Sequence, residues 1–131
     1  MNIKVTCAIL ERDGLVLTTQ RSEKMKQPLL WEFPGGKVEA GESEEESLIR
    51  EIAEELHLQV VPVARLTPVV HRYGDTSIEL IPYTCRFAGG TVKLQEHSAY
   101  AWAAPSDLLS YDWCPADLPI VEEYLRLRQG H

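Results

Sequence analysis

Three glutamates near the middle of the chain have the spacing of a cation-binding set. Glu51, Glu54 and Glu55 stand at positions i, i+3 and i+4, so a helix with about 3.6 residues per turn places them on one face. Carboxylates this close repel one another unless a cation lies between them. Hard divalent ions such as Mg²⁺ prefer oxygen ligands and keep water molecules free for substrate phosphates. The spacing therefore indicates a metal site suited to phosphate chemistry.

A solvated acidic helix face would show the same spacing, and it is the starting interpretation for any glutamate-rich helix. Two further features favour the metal site. The predicted helix follows a Gly35-Gly36 turn and an apolar segment at 31–34. The whole run also has a long gapped pattern: Gly36, five residues, Glu42, seven residues, Arg50-Glu51-Ile52, one residue, then Glu54-Glu55.

This pattern resembles the Nudix box, so the chain resembles a Nudix hydrolase. The resemblance implies an α/β protein, an α/β/α sandwich with a mixed central β-sheet, and a single domain over residues 1–131. The phrase Trp-Glu-Phe-Pro-Gly-Gly-Lys-Val-Glu is similar to that of the MutT-type nucleoside triphosphate pyrophosphohydrolases, and the likeness covers nearly the full chain. One position departs from the box, because His57 stands where the family usually has glycine.

The resemblance also implies roles for individual groups. The expected ligands of Mg²⁺, for which Mn²⁺ can substitute, are the Gly35 carbonyl and the carboxylates of Glu51, Glu54, Glu55 and Glu96. Glu96 precedes a late predicted strand and matches an additional family acid that binds metal or activates water; its alternative is a solvated loop acid. Either Glu51 or Glu96 takes the proton. Arg50 is expected to orient a carboxylate, and Glu42 to orient other side chains of the box or to reach the metal through water.

The residues expected to bind substrate lie outside the box. Asp117 occupies the place where MutT-type enzymes have a polar residue that contacts the base. The run around it, Trp113-Cys114-Pro115-Ala116-Asp117-Leu118-Pro119, looks similar to the branch that hydrolyses CTP and modified dCTP. An ionised Asp only accepts hydrogen bonds, which suits an exocyclic amine such as cytosine N4, or a purine edge that presents N–H donors. A helix N-cap is the alternative role for Asp117, and Pro119 in the first turn supports it.

Three further substrate contacts are predicted. Arg21, at the edge of a strand, could reach a phosphate, or it could be a surface charge. Phe33 and Leu80 are expected to form walls of the pocket.

Composition narrows the class of protein. The 131 residues include 44% hydrophobic and 25% charged residues, which is ordinary for a globular domain, and the net charge is −7. A protein this acidic has no basic stripe for long nucleic acid, whereas a free nucleotide remains compatible because a bound metal supplies positive charge. Three widely spaced cysteines without a C-x-x-C pair indicate reduced thiols. With no signal peptide and no membrane span in evidence, we expect a cytoplasmic protein that is monomeric or weakly dimeric.

The expected elements follow from hydrophobic periodicity and turn residues. Strands are predicted at 3–10, 15–19, 31–33, 59–67, 69–73, 77–87 and 99–103, with a turn at Gly89-Gly90. A capping box formed by Ser43 and Glu46 begins the acidic helix, which docks through Leu48, Ile49, Ile52 and Leu56. It ends near Leu56 or His57, either with His57 in a left-handed conformation at some cost or with a different kind of ending. A short helix begins at 105. A final helix over 115–128 buries Leu118, Val121, Tyr124 and Leu125.

Three functions are compatible with these features. The leading hypothesis is Mg²⁺-dependent hydrolysis of a (deoxy)nucleoside triphosphate to the monophosphate and pyrophosphate, acting on oxidised or modified nucleotides such as 8-oxo-dGTP or modified dCTP. A second hypothesis keeps the chemistry but changes the substrate to ADP-ribose or a dinucleoside polyphosphate. A third is a non-catalytic nucleotide-binding module, but such modules typically lose the box acids that this chain retains.

Overall fold

The computed structural model describes residues 2–129. In chain order its elements are β1 (Asn2–Arg12), β2 (Leu15–Gln20), β3 (Trp31–Glu32), β4 (Gly35–Lys37), α1 (Glu44–Leu56), β5 (Leu58–Arg65), β6 (Val69–Tyr73), β7 (Thr76–Gly90), β8 (Ala99–Ala103), a 3₁₀ helix (Pro105–Ser110) and α2 (Leu118–Gln129). The predicted strands and helices are all present, most with bounds that differ by one or two residues, and β4 is an additional strand.

The strands form one mixed sheet, in the order β3-β2-β1-β7-β5. Its centre is a long parallel ladder between β1 and β7, while the other pairings are antiparallel. β4 pairs with β1, β6 with β7 and β8 with β2. The mixed central sheet inferred from the family resemblance is therefore confirmed.

Alternating side chains of β1 face two separate cores, one on each side of the sheet. Cys7 and Ile9 join the core that contains α2, whereas Ala8 and Leu10 join the core that contains α1. A strand buried on both faces carries a nearly continuous apolar run, as residues 7–10 do. The two helices thus cover opposite faces, which makes the α/β/α sandwich.

Both ends of α1 have the predicted caps. The Ser43 side chain accepts from the Glu46 backbone, and the Glu46 carboxylate accepts from the Ser43 backbone. At the other end His57 takes a left-handed backbone with φ of 60°. The predicted docking face is wrong at one position: Ile49 is exposed, and the small Ser47 is buried in its place.

Two glycine pairs predicted as turns are parts of strands instead. Gly35 and Gly36 belong to β4, and a Cβ on Gly35 would overlap the backbone of Thr6 on β1. Gly89 and Gly90 lie at the end of β7, where a Cβ on Gly90 would overlap the His57 carbonyl. In both places glycine permits close approach of two backbones rather than a reversal of the chain.

The second helix begins later than predicted. The chain first turns at Cys114, whose carbonyl accepts from the Asp117 and Leu118 amides, so α2 starts at Leu118 rather than at 115. Leu118 therefore lies in the first turn with 40% of its surface exposed, and its predicted burial is wrong. Ile120, Val121 and Tyr124 fill the core.

Pro82 lies within β7 without breaking it. The outer edge of β7 pairs with β6 as far as Leu80 and with β5 from Tyr83 onward, so Pro82 stands at the junction. Its carbonyl accepts from Leu66 at 2.8 Å, and a missing N–H costs least where one partner strand replaces another.

Candidate active site

The Glu51 carboxylate is packed between α1 and β4. A Cβ on Gly36 would overlap this carboxylate, so the glycine that opens the box makes room for it. Only 14% of the Glu51 side chain is exposed. Burial raises the pKa of Glu51 above its usual value, and the hydrogen bond from Arg50 opposes that rise. The chain therefore holds this carboxylate in a partly dehydrated position.

Arg50 connects the acids of the box. Its Nε donates to Glu42 Oε2 at 2.6 Å and its Nη2 to Glu42 Oε1 at 3.0 Å, a bidentate pair. Its Nη1 donates to Glu51 at 2.9 Å and to Glu54 at 3.2 Å. The hydrogen bonding with Arg50 lowers the pKa of Glu42 below its usual value. Glu42 thus anchors the guanidinium that orients Glu51, as expected for an orienting residue outside the helix.

Glu55 has the least satisfied carboxylate of the box. Its Oε2 is buried and has no hydrogen-bond partner among the described residues. Burial raises the pKa of Glu55, the charge of Glu96 raises it further, and His97 opposes the shift. Glu55, Glu96 and His97 are therefore electrostatic neighbours, although Glu96 is 41 positions away in sequence.

The donor atoms of these acids are of the kind that a hard divalent cation prefers. Their donors are all oxygens, and the unpartnered Glu55 Oε2 has the environment of an atom that a cation would satisfy. Within residues 2–129, no three acidic, histidine or cysteine side chains already form a metal-holding group. Arg50 occupies Glu51 and Glu54 instead, so binding a cation requires these carboxylates to share or leave the guanidinium. Gly35, whose carbonyl is a predicted ligand, lies on β4 directly before Gly36, the residue that packs against Glu51.

Glu96 lies on an exposed loop that borders a cleft. The Glu96 loop, residues 91–98, is tied down at its ends: Lys93 N donates to the Leu56 carbonyl at 3.0 Å and Ser98 N to the Gln20 carbonyl at 2.9 Å. Glu96 lines a cleft of about 640 Å³ together with the 22–25 segment. Glu96 is therefore at the edge of a cleft and close enough to Glu55 for its charge to act on that carboxyl group.

A second cavity, of about 520 Å³, holds most of the predicted substrate residues. Arg21, Leu80 and Asp117 line it, together with Glu32, Lys26 and Cys114. Arg21 is neither a free surface charge nor an unpaired phosphate ligand: it donates to Glu32 at 2.9 Å and to the Lys26 carbonyl at 2.6 Å. The 21–27 segment contributes to both cavities: its two ends line this one, and residues 22–25 line the Glu96 cleft.

Asp117 is the buried polar group of the cavity, with 4% exposure. Its Oδ2 accepts from the Phe33 backbone N–H at 2.9 Å. Burial raises the pKa of Asp117 to about 8, and the Phe33 hydrogen bond opposes the shift. Burial thus favours the protonated form of Asp117, whereas the argument from sequence used the ionised acceptor. Asp117 does stand at the N-cap position of α2, because its backbone carbonyl accepts from Ile120 and Val121, but the recorded partner of its carboxyl group is the Phe33 amide rather than an amide of the helix.

Phe33 contributes its backbone rather than its ring. The ring packs against Trp113 at 4.8 Å between centroids and lies in the core with 3% exposure. It is absent from the cavity lining among the residues described. The prediction of Phe33 as a pocket wall is therefore wrong, and its amide fixes Asp117 instead.

Sequence reasoning missed two residues that link the acids to the cavity. Glu32 accepts from Arg21 through Oε1 and from His97 Nε2 through Oε2, both at 2.9 Å. His97 lies 65 positions away from Glu32, so no local pattern could have paired them. The sequence signal that could have identified Glu32 is its position as an acid inside the apolar Trp-Glu-Phe phrase. In the structure Glu32 is half-buried and lines the cavity.

Comparison with known proteins agrees with this geometry. The family model described as the NUDIX domain matches residues 2–124. The CTP pyrophosphohydrolase of Escherichia coli (strain K12) is 37% identical, over 96% of this chain and 93% of its own. A putative 8-oxo-dGTP diphosphatase 2 of Mycobacterium tuberculosis is 35% identical, over 99% and 93%. The solved structure of a MutT protein from Methanosarcina mazei Go1 superposes with a TM-score of 0.85 at 26% identity, over 99% and 96%.

The family model spans far more than half of the chain, and the first two relatives align over nearly their full lengths. The capped acidic helix, the glycine that admits Glu51 and the mixed sheet that carries them agree with that match. The chain belongs to the Nudix family of hydrolases.

Proposed function

We propose that this protein hydrolyses a (deoxy)nucleoside triphosphate to the monophosphate and pyrophosphate, with Mg²⁺ as the metal and Mn²⁺ as a substitute. The observation that carries the proposal is the juxtaposition of an acid group with a cavity. Glu55 and Glu96 are electrostatic neighbours, and His97, which follows Glu96, bonds Glu32 in the lining of a cavity of about 520 Å³ that contains a buried carboxyl. Such a cavity can take a base and sugar while the acids serve the phosphates.

The acids and their partners have separable tasks. Glu51, Glu54, Glu55, Glu96 and the Gly35 carbonyl are the proposed ligands, and Glu51 or Glu96 accepts the proton of the attacking water. Arg50, held by Glu42, keeps Glu51 in its orientation. Bound Mg²⁺ would neutralise charge on the phosphate oxygens and lower the pKa of water. Arg21, once released from Glu32, supplies a cation for a phosphate.

Asp117 is the proposed base-reading residue. With Oδ2 held by the Phe33 amide, the other oxygen of the protonated acid offers a hydroxyl donor, and the carboxyl still accepts. Cytosine presents N3 as an acceptor beside the N4 amine donor, so a neutral acid can satisfy both. We therefore place cytidine nucleotides first, in line with the relative named as a CTP pyrophosphohydrolase.

The neutral state of Asp117 also supports a second candidate substrate, 8-oxo-dGTP. An ionised Asp could not donate to a purine carbonyl, whereas the protonated acid can do so. A relative with 35% identity is named as a putative 8-oxo-dGTP diphosphatase. The carboxyl group of Asp117 can therefore pair with the edge of cytosine or with that of 8-oxoguanine, and the hydrolysis rates of the two nucleotides must decide between these substrates.

A product-resolved hydrolysis screen tests the proposal. The full chain is incubated with CTP, 5-methyl-dCTP, 8-oxo-dGTP, dATP and ADP-ribose, each with Mg²⁺ and with EDTA. We expect monophosphate and pyrophosphate in equal amounts from a cytidine nucleotide or from 8-oxo-dGTP, and none with EDTA. Release of inorganic phosphate, or turnover of ADP-ribose alone, would contradict the proposed reaction, and no turnover at all would favour a binding module.

The helices and the cysteines of the chain bear on the compartment in which it works. No helix within residues 2–129 is long and apolar enough to cross a membrane. All three cysteines are free and buried, which is typical of a reducing compartment. We propose a cytoplasmic enzyme that acts on free nucleotides as a monomer or weak homodimer.

A further inference from the structure

The two neighbours of Glu96 are each held by a different part of the protein. Gln95 Nε2 donates to His57 Nε2 at 2.6 Å, so His57 is the tautomer with its proton on Nδ1. On the other side, His97 Nε2 donates to Glu32 Oε2 at 2.9 Å. His57 ends the helix that carries Glu54 and Glu55, whereas Glu32 lines the nucleotide cavity. Glu96 is thus flanked by contacts to both halves of the site.

The side chains of Gln95 and His97 hold the middle of the Glu96 loop, because the backbone hydrogen bonds of the loop lie nearer its two ends. Lys93 and Ser98 anchor the two ends, and Glu96 itself is exposed between them. Its carboxylate has the same charge as Glu54 and Glu55, so electrostatic repulsion favours orientations that point into solvent. Something other than the acids must hold Glu96 near them.

His97 is poorly explained by packing alone. Its side chain is only 5% exposed, and its Nδ1 is buried without a hydrogen-bond partner among the described residues. An unpartnered buried nitrogen is unfavourable, and an apolar residue of similar size would avoid it. What the imidazole provides is the bond to Glu32, whose other oxygen binds Arg21.

His57 has a comparable unfavourable feature. Its φ of 60° is a conformation that glycine adopts freely and a histidine adopts with strain. The Nudix box usually has glycine here, so the histidine adds strain and a side chain together. That side chain reaches Gln95, next to Glu96.

We propose that His57 and His97 are positioning residues that hold the Glu96 carboxylate beside Glu55, His57 through Gln95 and His97 through Glu32. This inference rests on the proposed hydrolytic function of the site. It makes His57 a functional feature of this chain rather than a tolerated replacement of glycine.

Steady-state kinetics on the full chain with Mg²⁺ and its best triphosphate test the His57 contact. We expect His57→Gly to retain or raise the melting temperature, because the strain is relieved, yet to lower kcat about twofold to tenfold, the worth of one hydrogen bond. KM should stay within about a factor of two. Gln95→Leu should lower kcat by the same factor, and the double variant should lose no more than either single one.

Asp13→Gly is the matched control. Asp13 also has a positive φ, of 53°, but it lies in the exposed β1–β2 turn, away from the Glu96 loop. The substitution relieves the same kind of strain, so kcat should not change. Equal kcat in wild type and His57→Gly would overturn the role of His57.

The buried contact is tested by two substitutions of His97. His97→Leu should lower kcat about tenfold or more, because a hydrogen bond to a charged acceptor is lost, whereas His97→Gln, which can still donate to Glu32, should recover part of it. A purely structural role predicts that melting temperature and kcat fall together. Full activity in a folded His97→Leu protein would overturn the role of His97.

A readout without substrate separates this inference from the proposed function. The ¹⁵N heteronuclear NOE of the 94–97 amides should match that of β7 in the wild type and fall in His57→Gly and His97→Leu. If the wild type hydrolyses nothing but these NOE values still fall in the variants, the reaction is wrong and the positioning stands. Unchanged NOE values would refute the positioning whatever the activity.

Discussion

At the scale of single residues, the site is built by placing carboxyl groups in different environments. Asp117 is buried against one backbone amide, and burial raises its pKa to about 8. Glu51 is partly buried but retains a guanidinium partner, and Glu55 has a buried oxygen without one. Environments that differ in this way assign different tasks to chemically similar groups.

The burial of Asp117 leads to a prediction about stability. Its pKa is about 8 in the folded protein against 3.8 for the unperturbed group, so the folded state binds more protons between these values. The free energy of unfolding therefore falls as pH rises from about 4 to about 8. We expect Asp117→Asn to remove this contribution and to be more stable than wild type at pH 8 by more than about 1 kcal/mol. Urea unfolding at several pH values measures it.

Asp107→Asn provides the control, because Asp107 is an exposed acid in the 3₁₀ helix. Its unfolding curves should follow those of wild type at every pH. Parallel pH profiles for wild type and Asp117→Asn would show that the carboxyl is ionised in the folded protein, and the argument for base pairing by a neutral acid would fail.

Partners that are near in sequence could be predicted, and distant ones could not. Glu51, Glu54 and Glu55 share a face because helix geometry fixes spacings of three and four residues. The bond from Phe33 to Asp117 spans 84 positions, and that from His97 to Glu32 spans 65. Such pairs depend on how strands are ordered in the sheet, which no local pattern contains.

At the scale of elements, α1 is the rigid support of the acids. The capping box at Ser43 and the left-handed His57 fix its two ends, and Leu48, Ile52 and Leu56 dock it on the sheet. Its ends could be predicted because caps are local signals. The exposure of Ile49 could not, because it depends on which neighbouring elements cover that side of the helix.

The capping box can be removed without touching the site. We expect Ser43→Ala to lower the free energy of unfolding by about 1 kcal/mol, the usual cost of a lost N-cap, while kcat changes less than twofold. Chemical denaturation and steady-state kinetics measure the two quantities. Ser106→Ala, at an exposed position of the 3₁₀ helix, should change neither, and a large loss of kcat in Ser43→Ala would mean that the helix end also shapes the site.

At the scale of the whole molecule, the central sheet supports both functional regions: β4 packs against Glu51, and Leu80 of β7 lines the cavity of Asp117. β1 and β7 form the rigid centre, and the 21–27 segment and the Glu96 loop border the cavities. The family resemblance anticipated this arrangement, whereas propensity alone did not distinguish α/β from α+β. Local features then deviated where tertiary contacts decided, as with the late start of α2.

The net charge of −7 bears on the choice of partner. An acidic surface repels polyanions, and it lacks the basic patch that would release counterions from a nucleic acid and so favour binding. We therefore expect an excess of single-stranded DNA oligonucleotide to leave the hydrolysis of the preferred triphosphate unchanged, at constant free Mg²⁺. An unlabelled triphosphate of the same type should compete fully. Strong inhibition by the oligonucleotide would mean that the cleft accepts a chain rather than a free nucleotide.

The central claim is that the acids of α1 hold the metal for hydrolysis, and Glu54→Gln tests it most directly. Glu54 is more than half exposed, so the variant should keep its melting temperature. Its rate of pyrophosphate release at saturating Mg²⁺ should fall by a factor of about a hundred or more. Glu45→Gln, an exposed acid in the first turn of the same helix, should match wild type. Unchanged pyrophosphate release by Glu54→Gln would contradict the account and remove Glu54 from the metal site.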